Sequence, residues 1–166
     1  IIGIYLLLGG IMINGFIYKS VIGPIAIYEE NGYIIEVEKN EKFRNDVKLN
    51  KTEVISQTIN ELEEYFLGQR KIFTVPLNPQ TTIFRAKVLG ELQKIPYGKT
   101  VSYQEIAIKI GNPRASRAVG GACHNNPISL LIPCHRVIAT DGSMTGFGWG
   151  IDTKVFLLAL EKKFTK

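Results

Sequence analysis

Ser102-Tyr103-Gln104-Glu105-Ile106-Ala107-Ile108-Lys109-Ile110-Gly111-Asn112-Pro113-Arg114-Ala115-Ser116-Arg117-Ala118-Val119-Gly120-Gly121-Ala122-Cys123-His124 is the stretch on which the fold turns. Ser102 can cap a helix over 103–110, and Gly111-Asn112-Pro113 breaks it. A second helix is predicted over 115–124. Two short helices around a tight glycine-containing turn make a helix-turn-helix pattern. Gly120 and Gly121 each cost a helix about 1 kcal/mol relative to alanine. That cost has two readings: tight helix packing inside the domain, or close approach of the helix face to another backbone. Arg117 is a long cation on this small-residue face and can reach into a groove. The helix lacks the several Asn, Gln and Arg side chains that read base edges, so it reads as a sequence-tolerant binder.

Working outward, Thr82 can cap a helix with Phe84, Val88 and Leu92 on one stripe, ended by Ile95-Pro96-Tyr97-Gly98. A last helix is predicted over 153–163. The first third reads as β. Segments 4–8, 12–18, 22–28 and 33–37 are rich in Ile, Tyr and Val, with Gly9-Gly10, Asn14-Gly15 and Asn31-Gly32 as turns between them. A helix over 52–67 follows, with Ile55, Ile59, Leu62 and Phe66 at helical spacing and Gly68 as its stop. Residues 69–80, with Pro76 and Pro79, read as a linker. The expected fold is α+β in two domains. Residues 1–75 form a small antiparallel sheet plus helix, and 76–166 a mostly helical, helix-turn-helix domain.

Of 166 residues 45% are hydrophobic, which excludes a disordered chain, and the net charge is +5. That charge is uneven. Residues 1–80 hold 8 Lys and Arg against 10 Asp and Glu; residues 81–166 hold 12 against 5. No acid occurs from Ile106 to Thr140, where Lys109, Arg114, Arg117 and Arg136 fall. Such a half suits a polyanion, because phosphate neutralisation releases counterions; a solvated basic surface is the plainer reading. The apolar start, 1–13, is too short to span a membrane and has no basic region before it. A soluble, cytoplasmic protein with no membrane partner is expected.

The chemistry lies downstream of the second helix, in Ile132-Pro133-Cys134-His135-Arg136-Val137. A thiol is a useful nucleophile only as thiolate, and a neighbouring base or positive charge favours that form. His135 cannot easily touch its neighbour's sulfur, but it could act through a bridging water. A carboxylate would then hold the imidazole, and Glu161 on the last helix is a candidate. Against this stand ordinary roles: a buried thiol, a structural histidine and a solvated glutamate. The only cysteines are Cys123 and Cys134, too few for a disulfide scaffold. Cys123-His124 and Cys134-His135 number four possible zinc ligands, but adjacent residues rarely face one metal, so no metal is expected.

Segments 112–122, Asn126-Pro127 and 132–137, with Pro96-Tyr97-Gly98 and Val101-Ser102-Tyr103, resemble the O6-alkylguanine-DNA alkyltransferases. The likeness runs from about Thr81 to Glu161; the first 80 residues share only the pattern of a short sheet and a helix. It implies a ribonuclease-H-like first domain and a winged-helix-like second. It also implies direct-reversal repair of DNA as a methylated-DNA–protein-cysteine methyltransferase. An alkyl group would pass irreversibly, once per molecule, from O6-alkylguanine to Cys134, with O4-alkylthymine as a possible second lesion. His135 would be the base through water, with Glu161 orienting it and Asn126 at the hinge between the reader helix and an active-site strand.

By the same resemblance Arg117 would replace the flipped base in the stack. Tyr103 would crowd the 3′ phosphate and donate to guanine N3. Ala118, Gly120, Gly121 and Ala122 would face a minor groove, without sequence preference. The pocket would comprise Tyr103, Phe147, Gly148 and Val137, the backbone of Cys134 and Val137 accepting from the guanine amine and the Gly148 N–H donating to O6. Some relatives have Tyr and Ser where Phe147 and Gly148 stand. Others hold zinc through N-terminal Cys and His residues, which this chain lacks before Cys123. No cofactor and a monomer in solution are implied. A damage-binding relative would lack the acceptor thiol; a Cys-His hydrolase would turn over without DNA.

Overall fold

The computed structural model describes residues 12–165. β1 (Ile13–Ser20), β2 (Gly23–Glu30) and β3 (Tyr33–Glu38) form an antiparallel meander, and β4 (Val47–Leu49) adds to β1 in parallel. The sheet is therefore mixed, in the order β3-β2-β1-β4, rather than wholly antiparallel. The strand and turn expected over 4–10 lie outside the described residues. Asn31-Gly32 is the turn its sequence announces, with φ of 52° and 84° at its two residues.

Asn14-Gly15 is not a turn but part of β1. Its side chain and its missing side chain both serve packing. Asn14 Nδ2 donates to Glu29 Oε2 at 2.9 Å, and Asn50 Nδ2 donates to Asn14 Oδ1 at 2.9 Å. A Cβ on Gly15 would stand 2.5 Å from Val47 Cγ1, so only glycine lets β4 lie this close. The turn between β1 and β2 falls instead at Val21-Ile22, where the Ser20 hydroxyl donates to Gly23 O at 2.6 Å.

α1 (Glu53–Phe66) starts where Thr52 Oγ1 accepts from Ile55 N, and buries Ile55, Ile59, Leu62 and Tyr65. Gly68 ends it at φ +74°, and its missing Cβ leaves room for the Phe164 ring. The segment expected as a linker is hydrogen-bonded to the sheet. Ile34 N donates to Pro76 O and Asn78 N to Ile34 O, each at 2.9 Å; Val37 N donates to Pro127 O at 2.8 Å. The outer edge of β3 is thereby covered.

α2 (Ile83–Leu92) is capped by Thr82, and α3 (Tyr103–Lys109) by Ser102 in a capping box with Glu105. α4 (Ser116–His124) begins one residue later than expected and has no side-chain cap. Gly111, at φ +75°, makes the break between α3 and α4. β5 (Val101–Ser102) pairs in parallel with β6 (Val137–Ile138) beside these helices. α5 (Ile151–Lys163) starts two residues earlier than expected, directly after Gly150 at φ +88°. One apolar core runs through both halves, from Ile25, Ile34 and Leu62 to Leu92, Ile106, Val119 and Leu157. Among the described residues no helix is long and apolar enough to cross a membrane.

Candidate active site

Ile128 to Ile132 is buried, but it is a tight loop and not a strand; Leu130 takes φ +77°. Asn126 holds the loop together. Its Oδ1 accepts from Ile128 N at 3.1 Å, and its Nδ2 donates to Ile132 O at 2.9 Å and to Cys134 Sγ at 3.2 Å. Cys134 therefore opens a short 3-10 turn (Cys134–Arg136) with its sulfur inside the protein, 2% exposed. Ser129 Oγ lies 3.8 Å from the sulfur. Burial pushes the Cys134 thiol up, and the contacts from Asn126 and Ser129 and the charge of Lys154 offset it only in part. The resting group at neutral pH is the thiol, so any nucleophilic use of this sulfur would need a base.

A histidine follows it in the chain. His135 is fully buried, with Nε2 2.8 Å from Glu161 Oε1. Glu161 is also fully buried and takes a two-pronged contact from Arg136. Nε lies 3.0 Å from Oε2 and Nη2 2.9 Å from Oε1. Tyr65 Oη donates to Oε1 and Gly98 N to Oε2, each at 2.8 Å. Burial alone would raise the Glu161 carboxyl, but hydrogen bonds and charge from His135 and Arg136 bring it down to about 2. With Glu161 ionised, Nε2 of His135 must carry the ring proton that it donates. Nδ1 is then left with its lone pair, buried and without a partner among the described residues. Burial lowers the His135 pKa, and Arg136 and Lys154 add to this while Glu161 opposes it.

Three participants were not legible as site residues. Arg136 stood in the motif without a role, and its Nη1 also donates to Ile95 O at 2.6 Å. Tyr65 comes from α1. Lys154 is buried on α5 and donates to Val137 O at 2.6 Å and, more weakly, to Thr145 O at 3.4 Å. Helical spacing was the available signal, since Lys154, Leu157 and Glu161 recur on one inward face.

On α4, Arg117, Ala118 and Gly121 are exposed and Gly120 is half-buried. Ala122, expected on the same face, is 2% exposed and packs inward with Val119 and Cys123. It stands three residues after Val119 and so shares that residue's inward face. A Cβ on Gly120 would meet the Tyr103 ring at 3.9 Å. Tyr103 Oη donates to Thr145 O at 2.9 Å. A cavity of about 440 Å³ opens here, lined by Tyr103, Arg117, Gly120, His124 and Thr145.

The remaining expected pocket residues do not line that cavity. Phe147 is buried edge-on against His135, ring centroids 6.4 Å apart. The Val137 carbonyl already accepts from Lys154. Gly148 lines a separate cavity of about 540 Å³ with Asn126, Ser129 and Trp149. A Cβ on Gly148 would stand 3.1 Å from His124 O, so glycine seats the loop on the end of α4. Cys123 is a packed thiol pushed up to about 12, chiefly by burial. Among the described residues no cluster of His, Cys, Asp or Glu could hold a metal ion.

The family model described as the DNA binding domain of 6-O-methylguanine DNA methyltransferase matches residues 83–163, and that of its ribonuclease-like domain matches 16–79. A methylated-DNA–protein-cysteine methyltransferase of Methanosarcina acetivorans is 44% identical over 149 residues, covering 87% of this chain and 96% of the relative. One of Haemophilus influenzae is 39% identical over 150 residues, covering 87% and 84%. The crystal structure of Mycobacterium tuberculosis OGT in complex with DNA superposes with a TM-score of 0.85 at 37% identity, covering 93% of this chain and 94% of that one. The chain belongs to the 6-O-methylguanine DNA methyltransferase family.

Proposed function

We propose that this protein repairs DNA by direct reversal, moving an alkyl group from O6-alkylguanine to Cys134 in a single, irreversible turnover. The observation that carries the reading is a buried thiol whose neighbour in the chain is a buried histidine, its Nε2 held by Glu161 and its Nδ1 without a hydrogen-bond partner among the described residues. The Cys134 proton passes through a water to His135 Nδ1, and the sulfur attacks the alkyl carbon. The carbon–O6 bond breaks and its electron pair leaves on the guanine. Donors aimed at that growing charge lower the barrier; the Gly148 N–H at O6 and the Tyr103 hydroxyl at N3 are assigned this work. Tyr103 must then exchange its bond to Thr145 O for one to the base. A thioether is a poor leaving group, so the protein is not regenerated.

The partner is double-stranded DNA, entered at the minor groove with little sequence preference, by a monomer in the cytoplasm. The exposed Arg117, Ala118 and Gly121 surface supports this, since small residues let a helix approach a groove only about 6 Å wide. Residues 1–75 are assigned as the first domain and 76–166 as the DNA-binding and transfer domain; the two family models change over between Pro79 and Ile83. Incubation with DNA carrying labelled O6-methylguanine tests the whole reading. One label per molecule on Cys134 is expected; repeated turnover, or DNA binding without label, overturns it.

Arg117→Ala should slow repair of duplex DNA more than reaction with free O6-benzylguanine. Flipping a base costs a few kcal/mol, which only the duplex reaction must meet. Equal loss on both substrates would point to a structural role for Arg117. Methylation of Cys134 should lower stability. The sulfur lies in a closed site with Asn126 and Ser129 around it, and overpacking typically costs about 1–3 kcal/mol. For a chain of this size that is a fall in Tm of roughly 3–10 °C. Paired melting curves of the unmodified and methylated protein check it, and an unchanged midpoint would show that the site accommodates the product.

A further inference from the structure

We propose that Tyr65, supplied by α1 from the sheet half of the molecule, is a positioning residue that sets the basicity of His135 through the Glu161 carboxylate. This rests on the transfer reading above and extends it to a residue outside the segment that carries the thiol. Tyr65 is fully buried, and its hydroxyl donates at 2.8 Å to Glu161 Oε1, the oxygen that also faces His135 Nε2. Arg136 reaches both carboxylate oxygens, and Gly98 N takes Oε2. A carboxylate offers about four lone-pair sites; His135, Arg136, Tyr65 and Gly98 fill them. Every donor on Oε1 draws electron density away from the bond to His135. Tyr65 therefore weakens the pull of Glu161 on the imidazole proton and, by the same contact, holds the carboxylate at one orientation.

The hydroxyl is not there merely because an aromatic ring fits. The ring is fixed by Phe66, Phe73 and Tyr97, with centroids 5.6, 5.4 and 5.9 Å away, and phenylalanine would make the same contacts. Tyr97, next to it, shows that a phenol in this core need not reach Glu161: its own hydroxyl is buried without a partner among the described residues. Burial and the Glu161 charge raise the Tyr65 pKa, so the group stays a donor throughout the neutral range. The other charged and titratable groups around the pair are Arg136 in the 3-10 turn, Lys154 on α5, Cys134 beside His135, and Tyr97. None of them bridges the two halves of the chain as Tyr65 does.

The experiment measures single-turnover transfer from O6-methylguanine DNA across pH, and the titration of the His135 ring nitrogens by NMR. Three proteins spanning the whole 166-residue sequence are compared: the parent, Tyr65→Phe, and one with 3-fluorotyrosine at position 65, a stronger donor of nearly the same shape. A general base must be neutral to act, so the acid limb of the profile follows His135. Loss of the hydroxyl should raise His135 and move the limb up by about half a pH unit; fluorination should move both down. No shift in either protein, or shifts of the same sign, overturns the proposal, whatever happens to Tm. If Tyr65→Phe does not fold, the fluorinated protein decides alone. Failure of the parent to take label would strike the transfer reading instead, and the His135 titration would still report on Tyr65.

Discussion

Cys134→Ala is expected to abolish alkyl transfer completely while leaving affinity for duplex DNA within about twofold of the parent, a difference of less than half a kcal/mol. The sulfur is the atom that would form the new bond, and no other thiol can replace it. Cys123 is the only other cysteine; it is buried on α4 and pushed up to about 12. Affinity should survive because Cys134 is 2% exposed and takes no part in the exposed α4 surface. The fold should survive as well. Asn126 keeps its bonds to Ile132 O and Ile128 N, and Ser129 keeps its bond to Asn126 O, so two weak sulfur contacts are lost from a loop held by stronger ones. Mass spectrometry after incubation with alkylated DNA, beside a binding titration, measures both halves. Residual label on the variant would move the acceptor elsewhere. A collapse of affinity would show that the sulfur supports the binding surface.

How much of this was readable in the chain differs by element for physical reasons. Helix-turn-helix, caps and stops were legible because they depend on local chemistry. Thr82 and Ser102 each accept from a backbone N–H three residues on, and Thr52, expected as the first residue of its helix, caps it in the same way. Gly68 and Gly111 take the positive φ that their positions suggested. Asn14-Gly15 misled because a glycine chosen for close approach has the same letters as one chosen for a turn. β4 has only three residues and no alternation to detect. In the candidate site, the contact of His135 with Glu161 next to Cys134 was legible because a histidine serving a thiol would need an orienting carboxylate. Asn126 was legible only through resemblance, and the structure gives its work a physical form as the clasp of the loop. Tyr65 was hidden because a buried tyrosine on an amphipathic helix reads as core. Lys154 was hidden because a lysine reads as solvated. Ala122 failed in the opposite direction: a run of small residues was read as one face, although a helix turns neighbours away from each other.

Arg136→Met should be the most destabilising single change at the site. The guanidinium is nearly buried, 6% exposed, and it neutralises a carboxylate that is wholly buried. Methionine fills much of the same space but leaves Glu161 without its cation and Ile95 O without its donor. Removing one partner of a buried ion pair typically costs about 3–5 kcal/mol, against a total stability of about 5–15 kcal/mol for a domain. The loss should depend on pH. In the parent, Glu161 is held near 2, below its ordinary value of 4.5. Its contribution is fully present above that ordinary value and is lost as pH falls toward 2. His135, also lowered by burial, acts in the same sense: its contribution is lost as pH falls below its ordinary value of 6.5. Without Arg136 the Glu161 carboxyl should rise, and the stability it contributes should disappear at a higher pH than in the parent. Urea unfolding at neutral pH and near pH 4 measures this. The double variant Arg136→Met with Glu161→Gln should recover part of the loss, because it removes the stranded charge. A single variant within about 1 kcal/mol of the parent would mean that Tyr65, Gly98 and His135 suffice to hold the carboxylate. The charge of Arg136 would then matter for tuning His135 and not for keeping the two halves of the chain together.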